Sequence, residues 1–388
     1  MMSKTVSRNT EAFLALVRAG LWERDEVLQG PGAADSQREA LQGPGAADFP
    51  EVLRLAEEQT VVGLVAAGLE QVADGSFPQG EVLQLAGRML PLEQWNRAMN
   101  AFVARLFEEL REAGISAFLV KGQGIAQCYA RPLWRACGDV DLLLDGEDYE
   151  RAKALLLPRA SRVEAENPRR KHLGMVLDGW MVELHGTLRS RLSARANKVV
   201  DAAQAAVCRG GKVRPWMNGG TQVLLPAPDE DVVFVFSHIL QHFFGGGIGL
   251  RQICDWCRLL YTYADTLDAG LLEARLRQAG LMSEWKAFAA LAVDRLGVPV
   301  EAMPLYAPDR KWSKMGERIC RFVLKSGNFG RNRDQSYIRK SPYLVRKFIS
   351  FVRRVGDLLS HARIFPLDSM RFFPGILVSG VMGVLRGE

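Results

Sequence analysis

Apolar side chains recur at helical spacing over the first hundred residues of the chain. Residues 10–21 and 49–69 each place these side chains on one helical face, and a longer helix is predicted over 80–114, with Pro91 as a candidate break. We therefore expect residues 1–100 to form a helical N-terminal region.

The pattern then changes to short apolar runs bounded by turns. Residues 115–120 and 140–144 are predicted as buried strands, separated by one or two helical turns over 124–129. An amphipathic helix is predicted over 147–157. This alternation of strands and helices is typical of an α/β core.

A β-hairpin is predicted after this helix. Residues 172–177 and 180–185 are strand-like and are separated only by Asp178-Gly179. This dipeptide is a strong hairpin signal, because a type I′ turn needs positive φ at both central positions. From residue 228 onward the pattern is mostly helical, with Gly-rich breaks at 245–247 and 327–330.

These patterns predict an α+β protein in which helices flank a small central sheet. The expected regions are an N-terminal helical region (1–100), an α/β core (101–225) and a C-terminal, mainly helical region (226–388). Within the first region, residues 28–35 recur as 41–48. The Gly-Pro-Gly in each copy propagates neither helix nor strand, so we interpret the duplication as an expanded surface loop and assign it no function.

Composition changes this picture little. With 388 residues, 48% hydrophobic and 24% charged, the chain falls in the range of soluble globular proteins, which excludes wholesale disorder and a multi-span membrane protein. Six scattered cysteines suit a reducing compartment better than a disulfide framework. The first 26 residues lack a signal-peptide pattern, and we expect a cytoplasmic protein.

Charge is distributed unevenly. Residues 309–388 contain 17 Lys/Arg against 6 Asp/Glu, a net charge of +11, so the remainder must carry −5 of the total of +6. Such a basic module indicates an anionic partner, whether nucleotide phosphates, nucleic acid or a membrane surface, unless it is simply a set of solvated helix faces.

The candidate chemistry begins with two aspartates. In a strand, alternate side chains share a face, so Asp139 and Asp141 project together while Val140 and Leu142 are buried on the other side. Two carboxylates so close repel each other unless a cation lies between them, and Mg²⁺ prefers oxygen ligands. The pair therefore predicts a metal site, the alternative being two exposed aspartates at a strand start.

Further polar residues surround this pair in the sequence. By the same alternation, Glu183 adds a carboxylate from the hairpin, and three carboxylates on two strands can hold the metal ions of a phosphoryl or nucleotidyl transfer. Lys121-Gly122 follows a buried strand, where a close backbone approach and a lysine can bind phosphate. Arg135 either neutralises substrate phosphate or pairs with an acid of the sheet.

Together these residues resemble a known family. The sequence is similar to the uncharacterised bacterial nucleotidyltransferase-like family of the DNA polymerase β superfold, most closely over residues 101–263. The resemblance rests on these motifs: Val120-Lys121-Gly122, Tyr129, Arg135, Gly138-Asp139-Val140-Asp141, Glu183-Leu184-His185, His238 to His242, Gly247 to Gln252, Asp255-Trp256 and Gly327 to Gly330. Where the superfold usually has Gly-Ser, this chain has Lys121-Gly122.

The resemblance implies a small mixed sheet and divalent-metal-dependent transfer of a nucleoside monophosphate from an NTP. By position, Asp139 and Asp141 bind Mg²⁺ (or Mn²⁺), and Glu183 is a third metal ligand or the base for the acceptor hydroxyl. The expected nucleotide-binding residues are Lys121, Gly122, Arg135 and Arg251. The acceptor stays open among a sugar phosphate, a small metabolite, a peptide or protein, and an RNA end, and no stable DNA binding is expected.

Two alternatives remain open at this level. One is a non-catalytic nucleotide- or RNA-binding module with the same fold. The other is a peripheral membrane component of an envelope or natural-product pathway, in which residues 346–386 make weak contact with a membrane surface; the apolar stretch 375–385 is too short to span a bilayer.

Three further pairs of residues need interpretation. His238 and His242 share a helical face with compatible spacing for zinc, but their apolar neighbours favour a packed helix with one or both rings turned towards the cleft. Arg251 either pairs with Asp255 within its helix or reaches a triphosphate. Cys254 and Cys257 are interpreted as buried structural thiols, since no other zinc ligands accompany them.

Overall fold

A computed structural model of the protein describes residues 2–23, 47–71, 79–168, 171–245 and 247–328, together with 352, 356, 359 and 361–366. The duplicated loop and the apolar stretch 375–385 were both predicted from the sequence and lie almost wholly or wholly outside these residues. Within them, twelve α-helices and seven strands form a mixed α+β structure, which confirms the predicted fold class.

The N-terminal region is helical. Its helices are α1 (Met2–Trp22), α2 (Phe49–Glu58), α3 (Val62–Gln71) and α4 (Gln79–Glu112). The candidate break at Pro91 is wrong, because α4 continues through it. Pro91 and Gly87, whose carbonyl loses its helical N–H partner to the proline, are both exposed, so water can satisfy that carbonyl.

A five-stranded mixed sheet forms the centre of the fold. The strands are β1 (Ala117–Val120), β2 (Asp139–Leu144), β3 (Arg162–Val163), β4 (His172–Leu177) and β5 (Trp180–His185), and their order across the sheet is β1-β2-β5-β4-β3. Only β2 and β5 are parallel. The β4–β5 hairpin turns at Asp178 and Gly179 with φ of 50° and 85°, which confirms the predicted turn.

The two faces of the sheet belong to two different cores. Leu119, Leu142 and Leu184 face a core completed by α4 and by α6 (Gly146–Leu156). Phe118, Val120 and Leu143 belong to the other core, which the N-terminal and C-terminal helices share. Strand alternation places Asp139, Asp141 and Glu183 on this second face. The carboxylates therefore lie between the sheet and helices that come much later in the chain.

A second hairpin was not predicted. Strands β6 (Val213–Asn218) and β7 (Thr221–Pro226) pair antiparallel around Gly219-Gly220, whose φ values of 58° and 95° suit a two-residue turn. The pair packs beside β1 and α4.

The remaining helices complete the structure around the sheet. Besides the short α5 (Gly122–Ala126), they are α7 (Ala194–Cys208), α8 (Pro228–Gly245), α9 (Leu250–Thr262), α10 (Ala269–Ala279), α11 (Met282–Leu296) and α12 (Arg310–Ser326). The helical nature of the C-terminal region is thus confirmed as far as Ser326. Among the helices described, none is both long enough and apolar enough to cross a membrane.

Candidate active site

The three predicted carboxylates meet in one cavity. Asp141 lies directly opposite Glu183 in the parallel β2–β5 ladder, and Asp139 is one alternation away on the same face. Together with Lys121 and Gly122 they line a cavity of about 300 Å³, which we call the carboxylate cavity. The structure thus brings these side chains together, and the roles predicted for them stay predictions.

Lys121 lies at a strained turn between β1 and α5. It has φ of 58° and ψ of −144°, and Gly122 follows with φ of 42°. Such backbone strain in a non-glycine residue is found mostly at functional sites. The turn brings Lys121 Nζ to 2.8 Å from Asp141 Oδ1. In this structure the lysine neutralises a carboxylate, and its predicted contact with phosphate stays a prediction.

Two histidines join the carboxylates. His185 Nε2 lies 2.7 Å from Asp141 Oδ1 and 3.4 Å from Glu183 Oε2. His172 Nε2 lies 3.1 Å from the same Glu183 oxygen, and the two imidazole rings are 4.8 Å apart. Asp141, His185, Glu183 and His172 thus form one continuous polar network across three strands.

The three carboxyl groups have different pKa shifts. The charge of Asp141, followed by burial, raises the pKa of Asp139. Burial by itself would raise the pKa of Asp141. The charge of Lys121 and the hydrogen bond from His185 outweigh burial, so the pKa of Asp141 is lowered. Hydrogen bonds from His172 and His185 hold the pKa of Glu183 well below its usual range. Of the three carboxylates, Asp139 is therefore the one whose negative charge its neighbours offset least.

A second group of polar side chains, centred on Asp255, also lines the carboxylate cavity. Asp255 of α9 accepts two hydrogen bonds from Arg135, at 3.0 Å from Nε and 2.6 Å from Nη2, and a third from Tyr129 at 2.8 Å. Arg135 thus pairs with an acid of a helix and not of the sheet. Its third guanidinium nitrogen, Nη1, has no partner among the described residues, although the side chain is buried and lines the cavity.

Arg251 also lines the carboxylate cavity. Its Nη1 donates to the carbonyl of Ala136 at 2.6 Å, and its Nε has no partner within the described part of the chain. Asp255, the alternative partner on the same helix, is held by Arg135 instead. Burial, followed by the charge of Arg135, lowers the pKa of Arg251, so an anion bound here would relieve an unfavourable environment.

His238 and His242 of α8 complete the wall. Their rings are 4.3 Å apart, and both line the carboxylate cavity, as predicted for rings turned towards the cleft. Burial and the charge of Lys121 lower the pKa of His238 well below its usual value and that of His242 to about 4. Both imidazoles are therefore neutral at pH 7.

A second cavity adjoins the first. It has a volume of about 330 Å³, and we call it the loop cavity because the loop of residues 186–191 that follows β5 forms one wall. Four side chains line both cavities: Lys121, Glu183, His238 and His242. Of these two cavities, Asp139, Asp141, Arg135 and Arg251 line the carboxylate cavity but not the loop cavity, whereas His172 and His185 line the loop cavity but not the carboxylate cavity.

Comparison with protein families identifies the chain. Residues 45–297 match a family described as uncharacterised nucleotidyltransferases, and this span contains both cavities. The chain belongs to this family. The resemblance inferred from the sequence motifs is thereby confirmed. No curated protein and no solved structure matches the chain.

Two groups of side chains in this member of the family have the chemistry of a metal site. Asp139, Asp141 and Glu183 offer carboxylate oxygens, which suit Mg²⁺ or Mn²⁺. The raised pKa of Asp139 fits this set, because a bound cation would offset the repulsion that raises it. His172, Glu183 and His185 offer a nitrogen-rich set whose ligand atoms lie within 4.8 Å of one another. Glu183 belongs to both.

Sequence reasoning placed His185 in the Glu183-Leu184-His185 motif but assigned no role to it or to His172. A two-residue turn at Asp178-Gly179 fixes the register of its hairpin, so that His172 lies directly opposite His185 and both share the face of Glu183. The signal was therefore present in the predicted hairpin. The role of Asp255 had no such local signal, because its partner Arg135 lies 120 residues earlier.

The cysteines of α9 take no part in the site. Cys254 and Cys257 are free thiols that are fully buried, as expected for structural residues. Burial raises the pKa of each thiol, so neither is a ready metal ligand.

Proposed function

We propose that this protein transfers a nucleoside monophosphate from an NTP to a hydroxyl-bearing acceptor, with Mg²⁺ or Mn²⁺ as the metal. The observation that carries the proposal is the convergence of Asp139, Asp141 and Glu183 on adjacent strands in a cavity that is also lined by two arginines with buried guanidinium nitrogens. Carboxylates for metal and arginines for phosphate are the two requirements of phosphoryl-transfer chemistry.

The carboxylate cavity is the proposed donor site. Asp139, Asp141 and Glu183 would hold the metal, which when bound would neutralise charge on the phosphates. The unpartnered nitrogens of Arg135 and Arg251 support contacts with the triphosphate, because each is a buried donor that the described residues leave unsatisfied. Lys121 and the backbone at Gly122 are the proposed further phosphate contacts.

Glu183 suits a ligand better than a base. Because two imidazoles hold its pKa far below the usual range, it stays ionised and has little affinity for a proton. An ionised carboxylate only accepts hydrogen bonds, so His172 must donate from Nε2, and Nδ1 is then the ring nitrogen that can take up a proton. We therefore assign proton transfer to His172, oriented by Glu183.

The proposed reaction forms one bond to the α-phosphorus, breaks another, and moves one proton. The acceptor oxygen attacks the α-phosphorus and forms a new oxygen–phosphorus bond. The bond from the α-phosphorus to the bridging oxygen breaks, and pyrophosphate leaves. The hydroxyl proton passes to Nδ1 of His172, which lines the loop cavity beside Glu183.

A transfer assay tests this proposal. The protein is incubated with each α-labelled NTP, Mg²⁺ and a small-molecule extract, and both labelled product and pyrophosphate are measured. We expect both from the wild type, a loss of at least about 100-fold in Asp141→Asn, and a loss of about 10²–10⁴-fold in His172→Gln, the usual contribution of a general base. Transfer that persists in EDTA, equal transfer by Asp141→Asn, or no labelled product from any NTP would contradict the proposal.

A further inference from the structure

The loop cavity differs from the carboxylate cavity in charge. The carboxylate cavity is lined by three cationic side chains and four carboxylates, so its walls are slightly negative when the histidines are neutral. The loop cavity is lined by three cationic side chains, Lys121, Arg189 and Arg191, and by Glu183 as its one carboxylate among the described residues. The side chains that line it therefore carry more positive than negative charge, although Lys121 is paired with Asp141, which does not line it.

The wall of the loop cavity is held in place by α7. Asn197 binds both the N–H and the carbonyl of Ser190, at 2.9 and 3.1 Å. Gln204 accepts from the N–H of Leu188 at 3.1 Å and donates to the carbonyl of Gly186 at 3.0 Å. Because Asn197 and Gln204 are two helical turns apart, they share one face of the helix and fix the loop at two points.

The same face of α7 forms an ion pair with one of the two arginines of the loop and leaves the other without one. Asp201 accepts two hydrogen bonds from Arg189, at 2.7 and 2.6 Å, and so neutralises it. Arg191 has no ion-pair partner in the part of the chain that the structure describes, and its exposed side chain lines the cavity. An uncompensated guanidinium on a fixed loop suits a phosphate or a carboxylate, which it can bind with two parallel hydrogen bonds.

We propose that the loop cavity is the acceptor site and that the acceptor carries an anionic group, a phosphate or a carboxylate, in addition to the hydroxyl that attacks. Arg191 binds the anionic group. The hydroxyl lies at the boundary of the two cavities, beside Glu183 and His172, where the donor phosphate arrives from the carboxylate cavity. This inference rests on the proposed function, because it assigns the second substrate of the same reaction.

Binding of three small probes tests this inference. Glycerol 3-phosphate, glycerate and glycerol share a hydroxyl but differ in their anionic group. Each is titrated calorimetrically into the full-length protein saturated with Mg²⁺ and a non-hydrolysable NTP analogue. We expect at least one of the two anionic probes to bind and glycerol not to bind, and the better anionic probe indicates which group the acceptor carries. In Arg191→Gln we expect that probe to bind roughly tenfold more weakly, as for loss of a charge-assisted contact.

Arg195→Gln is the matched control. Arg195 is an exposed arginine on α7 that lines neither cavity, so this variant loses the same charge without losing the site. We expect it to bind the probe as the wild type does, and all three proteins to bind the nucleotide analogue equally.

Four results would overturn the inference. These are no binding of either anionic probe, equal binding of glycerol, equal weakening by the two arginine variants, and binding of the probe only when the nucleotide analogue is left out. The last result would mean that the loop cavity holds the triphosphate. Failure of the analogue to bind the wild type would instead count against the proposed function, so the two failures are distinguishable.

Discussion

Asp139 and Asp141 lie two residues apart on one strand, yet their environments differ. Lys121 and His185 both contact the carboxylate of Asp141, whereas no hydrogen bond or ion pair to the carboxylate of Asp139 is present among the described residues; Cys137 donates only to the Asp139 backbone carbonyl. As a result the pKa of Asp141 is lowered and that of Asp139 is raised. The protein tolerates this repulsion at Asp139, which is typical of a functional site that is not optimised for stability.

This difference predicts that replacing aspartate by asparagine changes the free energy of unfolding in opposite directions at the two positions. Without metal, Asp139→Asn should raise the free energy of unfolding by on the order of 1 kcal/mol, because it removes a carboxylate that its neighbour repels. Asp141→Asn should lower the free energy of unfolding by a similar amount or more, because it leaves Lys121 without its anionic partner and removes the shorter of the two carboxylate contacts of His185. Urea unfolding in EDTA at pH 7.5 measures both, and changes of equal sign would contradict this account.

At the same scale, the sequence predicted residues whose position follows from alternation. Asp139, Asp141 and Glu183 share a face because strand side chains alternate, and this needs no tertiary information. The partner of Arg135 could not be predicted in this way. Asp255 reaches it only through tertiary packing, in which α9 lies against the short helix α5, and a contact between residues so far apart leaves no periodic signal.

At the scale of single elements, the turn between β1 and α5 controls the site. A Cβ at Gly122 would meet Cys137 Sγ at 3.3 Å and the Asp139 carbonyl at 3.4 Å, and φ is 42°. The neighbouring Lys121 is already strained at φ of 58°. The turn can therefore accept little further strain without moving Asp139.

Gly122→Ala should consequently cost about 1–2 kcal/mol of unfolding free energy, the usual penalty for a side chain in the left-handed region, and weaken nucleotide binding. Gly138→Ala is the control, because an added methyl group there would have no atom within 4 Å and the φ of Gly138 is not positive. Chemical unfolding and nucleotide titration of both variants check this. Equal effects of the two substitutions on unfolding free energy and nucleotide binding would contradict the prediction that the backbone conformation at Gly122 controls both.

The elements themselves were predictable where local chemistry decides them. Asp178-Gly179 fixed one hairpin, and the same reasoning at Gly219-Gly220 would have found β6 and β7. The short β3 has only two residues and both are exposed, so no hydrophobic pattern marks it. At Pro91, in contrast, the sequence predicted a break that the helix does not have. The cost of a proline in a helix depends on whether solvent can reach the freed carbonyl, which the sequence does not show.

At the scale of the whole molecule, the site lies where the sheet meets the C-terminal helices. His238 and His242 of α8 contribute to that junction, and burial, followed by the charge of Lys121, lowers both of their pKa values. The unfolded chain, in which histidine titrates near 6.5, therefore binds more protons than the folded protein between pH 6.5 and about 4. Their contribution to stability is present above pH 6.5 and is lost as pH falls through this window.

Replacing both histidines should reduce this acid sensitivity. Between pH 7 and pH 5, the wild type should lose up to about 2 kcal/mol more unfolding free energy per histidine than the variant His238→Asn/His242→Gln. His185, whose pKa is raised because its bonds to Asp141 and Glu183 outweigh burial, acts in the opposite direction, so the comparison is between the two proteins at each pH. Parallel pH profiles of the two proteins would contradict the prediction.

The proposed function requires the carboxylates to bind a metal–nucleotide complex. Its most direct test is calorimetric titration of the four NTPs, as non-hydrolysable analogues, into the wild type and into Asp139→Asn/Asp141→Asn, with Mg²⁺ or with EDTA. Asp145→Asn/Asp148→Asn is the matched control, since neither residue lines either cavity. We predict metal-dependent binding of at least one analogue to the wild type and to the control, and its loss in the Asp139/Asp141 variant. Equal binding by all three proteins, binding that persists in EDTA, or no binding by the wild type would contradict the account.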